Sequence, residues 1–119
     1  MILIYGNPAS RKIWESFSDA ERASGLRSYA ELTESLAESG ELIVSEALAD
    51  PALTQRVPAS AEDLVTDVPL AEAKEQLAGF FLVDCADMER ALEVAARVPE
   101  AAYGLVQVRP VMTYDMPDF

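Results

Sequence analysis

The sequence predicts an α+β fold in the order strand, helix, strand, strand, helix, strand, and three observations predict it. Short runs place apolar residues with the period of two that suits a strand, two longer runs repeat them with the period of a helix, and Gly, Pro, Asn and Asp punctuate the joins. The 119 residues are enough for one compact domain spanning 1–119. Half are hydrophobic and a quarter charged, the balance of a packed core.

Ile2 to Tyr5 reads as a strand with apolar residues on both faces, closed by the turn chemistry of Gly6-Asn7-Pro8. Ser18 and Glu21 have the spacing of a capping box, and Leu26, Tyr29, Ala30, Thr33, Leu36 and Ala37 then recur at helical spacing up to Gly40. This reads as one long amphipathic helix, in which Gly25 costs about 1 kcal/mol relative to Ala, leaving a bend or an earlier break there as the alternative. Leu42 to Leu48 reads as a strand with Leu42, Val44, Glu46 and Leu48 on one face, ended by Asp50-Pro51. Thr54 to Val57 and Leu64 to Thr66, on either side of Pro58, read as an inserted hairpin. In the next strand, Leu77, Gly79, Phe81 and Val83 line one side and Ala78, Phe80 and Leu82 the other. Asp87 is placed to cap a second helix with a stripe of Met88, Ala91, Leu92 and Ala95, stopped near Pro99. Tyr103 to Met112 reads as the last strand, and 113–119 as a tail, loose or strapped over a partner subunit.

This order is the ferredoxin-like βαββαβ plan, an antiparallel sheet with an inserted hairpin. Two helices cover only one face of such a sheet, yet the apolar residues lie on both. A second copy of the chain on the bare face is the simplest cover, burying roughly 800 Å² per partner, and a homodimer is expected.

The charge of −12 repels phosphate backbones and anionic lipid, so neither nucleic acid nor membrane is an expected partner. No basic region followed by a long apolar run opens the chain, and a cytoplasmic location is expected. Cys85 is the single cysteine, beside Asp84, and reads as packing. Histidine is absent, which removes Ser-His and Cys-His pairs, imidazole haem ligation and the usual zinc sites. No metal or cofactor is expected, and acid-base chemistry would fall to carboxylates, Lys, Tyr or Cys.

Among those, Glu46 sits mid-strand between apolar neighbours, where burial would raise its pKa toward that of a general base; the alternative is a solvent-facing or ion-paired carboxylate. Asp67 is the second catalytic candidate, with capping of a turn as its structural alternative. Lys74, Glu75 and Arg109 are candidates for ligand binding, Arg109 through its fork of donors, and each has an ion pair as its alternative. Glu72 with Glu75 offers oxygen ligands without any loop signature, a weak pattern for a cation. Trp14, with Phe17, can wall a pocket for a small organic molecule or plug the end of a core. Glu46 and Arg109 fall on opposite edges of the expected sheet, three spacings or roughly 14 Å apart, and cannot bond within one subunit.

Leu3-Ile4-Tyr5-Gly6, Glu46-Ala47-Leu48, the run from Thr66 to Phe81 containing Asp67-Val68-Pro69-Leu70, Ala95 to Pro99, and Val108-Arg109-Pro110-Val111-Met112 together resemble the YCII-related family, in its DGPF-domain branch. The resemblance implies a ferredoxin-like fold paired as a dimeric α/β barrel. It also implies a regulatory link, because genes of such proteins often lie beside those for extracytoplasmic-function sigma factors. The His-Asp pair proposed in the wider family has no counterpart in a chain without histidine. Val68 and Leu70 stand where the branch has Gly and Phe, and Val68 resists the positive φ that Gly permits. The leading expectation is a small-molecule-binding homodimer with a regulatory role. The alternatives are a carboxylate-based enzyme, isomerase- or hydrolase-like, acting on a small organic acid or lactone, and a purely structural or interaction protein.

Overall fold

The computed structural model describes residues 1–60 and 74–113. Strand β1 (Ile2–Gly6) leads into helices α1 (Pro8–Ser16) and α2 (Asp19–Ser39), followed by β2 (Leu42–Ala47), β3 (Gln76–Val83), α3 (Met88–Ala95) and β4 (Val106–Val108). The strands form one antiparallel sheet in the order β2-β3-β1-β4, with β1 and β3 central. This is the ferredoxin-like arrangement expected from the order of elements.

Capping sets the helix boundaries. The Ser18 hydroxyl accepts from the Glu21 N–H at 3.1 Å while the Glu21 carboxylate accepts from the Ser18 N–H at 3.0 Å, and Gly40 ends α2 in the left-handed region at φ 79°. The helix runs through Gly25 unbroken. A Cβ at Gly25 would sit 3.7 Å from the Trp14 ring, an ordinary contact distance, so α1 packs against α2 at this point. Helix α1 occupies what the sequence presents as a turn. Asn7 accepts from the Ser10 N–H at 2.7 Å, the Ser10 hydroxyl accepts from the Asn7 N–H at 2.9 Å, and Pro8 takes the first helical position, where its missing N–H costs nothing. The box escapes notice because its third helical residue is Ser rather than Glu or Gln.

The core lies on one face of the sheet. Ile2, Ile4 and Phe81 from the strands, Leu32 and Leu36 from α2, and Val94, Ala95 and Val98 from α3 and its continuation form a single buried cluster. Each large side chain there contributes roughly 1.5–3 kcal/mol of transfer free energy. The buried stripe of α3 is Ala91, Val94 and Ala95, while Met88 and Leu92 face outward. The expected stripe is rotated, because Val98 extends the buried face one turn beyond the helix.

Two bulges reassign residues between faces. Leu42 pairs with Val83 but Val44 with Leu82, so Ile43 is extra and every later residue of β2 changes side. Leu42 and Ser45 therefore share the core face with Val83 and Phe81, while Val44 and Glu46 share the opposite face with Leu82 and Phe80. The expected single face of Leu42, Val44 and Glu46 is thus split. The second bulge, between Ile4 and Tyr5, pairs Tyr5 with Leu77 and moves Leu77 off the Gly79 side.

The expected hairpin piece Thr54 to Val57 is irregular chain after a 3-10 turn at Pro51–Leu53, and its other piece, 64–66, lies outside the described residues. The last strand is shorter than its alternation suggests. Pro99–Tyr103 forms a 3-10 turn closed by Gly104 at φ 69°, and pairing stops after Arg109, whose N–H donates to Met1 O at 2.9 Å.

Candidate functional site

A cavity of about 390 Å³ opens between α2 and the end of the sheet formed by β2 and β3. Its floor is Ile4, Gly79 and Phe81, its wall Leu26, Tyr29 and Thr33 of α2, and Ser45 and Glu100 supply further polar groups. Gly79 keeps the floor low. A Cβ there would come within 2.8 Å of the Glu46 carbonyl oxygen, so only glycine lets β2 approach β3 at this point.

Helical spacing brings Tyr29 over the sheet. Its ring stacks on Phe81 at 6.4 Å between centroids with 4° between planes, and its hydroxyl donates to the Glu100 carboxylate. Burial first, and then the Glu100 carboxylate, push the Tyr29 phenol well above its ordinary range, so it stays a neutral donor. Thr33 is turned away from its own tip chemistry, its hydroxyl donating to the Tyr29 carbonyl oxygen at 2.8 Å. The Ser45 hydroxyl has no hydrogen-bond partner among the described residues. The lining is therefore chiefly apolar, with one neutral hydroxyl and one carboxylate able to orient a guest. No Lys or Arg is among the described residues that line it.

Of the residues singled out in the sequence, Glu46 reaches this cavity as part of β2. Its pairing with Phe80 puts its side chain on the opposite face, where it is exposed. Lys74 and Glu75 are exposed just ahead of β3 and do not line the cavity. Arg109 is exposed at the far edge, one residue past β4. Trp14, 43 % exposed, meets Phe17 edge to face at 6.1 Å, with the Arg22 guanidinium 5.7 Å over its ring, and it caps the α1–α2 junction rather than the cavity. Asp67 and Glu72 lie outside the described residues.

Tyr29, Ser45 and Glu100 were not singled out. Tyr29 carried a signal, since a phenol on a core-facing helical stripe needs a partner for its hydroxyl. Glu100, 71 residues away, carried none. Elsewhere, Arg90 donates Nε at 3.0 Å and Nη2 at 2.9 Å to the two Glu41 oxygens, joining α3 to the start of β2. The Arg90 and Ser39 hydrogen bonds hold the Glu41 carboxyl down at about 2, while burial and Glu41 push the Cys85 thiol up. That cluster reads as a structural clamp. Among the described residues, no group of three or more metal-ligating side chains could hold an ion, and no helix is long and apolar enough to cross a membrane.

The fold and cavity define a ferredoxin-like α+β protein with a small-molecule-sized space beneath its longest helix. The chain belongs to the YCII-related family, whose domain matches residues 1–115. It is similar to a protein of Rhizobium meliloti (strain 1021) designated only as uncharacterised, with 32 % identity over 116 residues, 95 % of this chain and 91 % of the other.

Proposed function

We propose that this protein is a cytoplasmic homodimer of the DGPF-type branch that holds a small, mainly apolar molecule under α2 and serves a regulatory rather than a metabolic role. The observation that carries this reading is the cavity: apolar walls with a few converging polar groups, the usual make-up of a small-molecule site. Binding is favoured over nucleophilic turnover because Ser45 has no histidine in the chain to activate it and Glu100 is engaged by Tyr29. The lining favours neutral guests with a donor for Glu100 over carboxylates.

The test is a thermal-shift screen of small neutral alcohols, amides and lactones, repeated with Ser45→Leu to fill the cavity. A guest at about ten times its Kd adds roughly 1.4 kcal/mol and raises Tm by several degrees in the native chain. The filled variant should show no such rise. Absence of a rise with every guest would remove the reading.

A second reading, a carboxylate-based enzyme acting on a small organic acid or lactone with Glu46 and Asp67 as bases, would set its chemistry on the outer face of the sheet, where the Glu46 side chain is exposed, and not in the cavity. Glu46→Gln and Asp67→Asn should then each abolish a turnover detected with such substrates. Full retention of rate in both would end it.

A further inference from the structure

The face of the sheet turned away from the core carries its own ordered pattern. Across it, Glu46 of β2 pairs with Phe80 of β3, Phe80 with Leu3 of β1, and Leu3 with Gln107 of β4. In the neighbouring row Val44 pairs with Leu82, and the β4 end of that row is Arg109, bonded to Met1. The two middle strands thus present an apolar band of Leu3, Phe80 and Leu82, none of which joins the core cluster. The two edges carry the only side-chain charges that the described strand pairing places on this face, Glu46 at one and Arg109 at the other. Both are exposed, and neither has an ion-pair partner among the described residues.

On the reading that two copies pair through this face, we infer that the two-fold axis runs along the strands and sets Glu46 of each subunit against the partner's Arg109. In the aligned mode of sheet packing, two sheets lie about 10 Å apart with strand directions within about 30°. Only two face-to-face symmetries keep them so. An axis across the strands puts β2 over the partner's β2, which gathers both Glu46 carboxylates at one edge and both Arg109 guanidiniums at the other. An axis along the strands puts β2 over the partner's β4 and β3 over the partner's β1. Phe80 then packs on the partner's Leu3, and Glu46 lies over the partner's Gln107, one row of roughly 7 Å from the partner's Arg109, within reach of that long side chain. The second arrangement buries the apolar band and satisfies all four charges. The first buries the same band against like-charge repulsion, which disfavours a pairing more than matched charges strengthen it. The three-strand separation that prevents Glu46 and Arg109 from meeting within one subunit is what makes them meet between two.

The experiment measures the dimer dissociation constant by sedimentation equilibrium for the native chain, Glu46→Arg, Arg109→Glu and the double exchange, at low and high salt. Because two symmetry-related contacts turn repulsive at once, each single reversal should weaken the dimer about tenfold or more, and the double exchange should restore most of the loss. High salt should shrink these differences. Glu46→Gln separates the two axes: it weakens the dimer if Glu46 meets Arg109 and tightens it if Glu46 meets Glu46. Single reversals without effect, a double exchange without recovery, or a tighter Glu46→Gln dimer would each overturn the inference while leaving dimerisation standing. A native chain that sediments as a folded monomer at micromolar concentration would overturn the dimer itself. Circular dichroism of each variant checks the fold, which both exposed positions should tolerate.

Discussion

The two faces of the sheet are built from similar residues and meet different fates. The inner face sets Ile2, Ile4 and Phe81 against α2 and α3, with Ile2, Leu36 and Val94 fully buried. The outer face carries Leu3, Phe80 and Leu82 only half-buried, with Val44 and Leu77 more open still, 38 % and 39 % exposed. Composition alone does not separate them. What separates them is that α2 and α3 both return to one side, so an apolar residue stabilises the fold on one face and remains available for association on the other.

The strongest way to break this comparison is to truncate one residue on each face. Leu36→Ala should cost about 2–5 kcal/mol in urea unfolding, because the fully buried side chain leaves a cavity. Phe80→Ala should cost the subunit less and weaken self-association about tenfold or more, as the loss of a central apolar anchor does. Equal losses of stability at the two sites would show that the faces do not differ.

Gly79→Ala sharpens the comparison at the boundary between cavity and sheet. The added methyl meets a backbone oxygen, not the end of a flexible side chain, so β2 must move away from β3. A loss of about 1–3 kcal/mol is expected, together with loss of guest binding, measured by denaturation and thermal shift.

The smallest effects are those of pH, one on each side of neutrality. Glu41 has a depressed pKa, so its contribution is present above the ordinary carboxylate value of 4.5 and is lost as pH falls toward about 2. Glu41→Gln should flatten the acid limb of a Tm profile. Tyr29 has a raised pKa, so its contribution is present below the ordinary phenol value of 10.0 and is lost as pH rises beyond it. Phenolate absorbance should show one of the four tyrosines ionising only with alkaline unfolding, and Tyr29→Phe should remove that step.

Much of the fold was legible because its signals are local. The Ser18–Glu21 box, Gly40 and the Asp87 cap mark helix ends through contacts three residues apart, and strand alternation needs only neighbours. Helix α1 was missed because Gly-Asn-Pro serves turns and helix starts alike. The site was less legible. Tyr29 and Glu100 meet only after α2 and the chain beyond α3 fold together, and neither neighbourhood in sequence announces the other.

From the chain alone came the order of elements, the acidic surface, the exclusion of imidazole chemistry and the placing of Glu46 and Arg109 on opposite edges. Each rests on composition or on periodicity over a few residues. Tertiary structure decided which side of the sheet Glu46 occupies, because the extra residue at Ile43 reverses the alternation that follows and a bulge is defined only by the partner strand. It likewise decided that a cavity lies under Tyr29, because a space is enclosed by residues that only packing brings together.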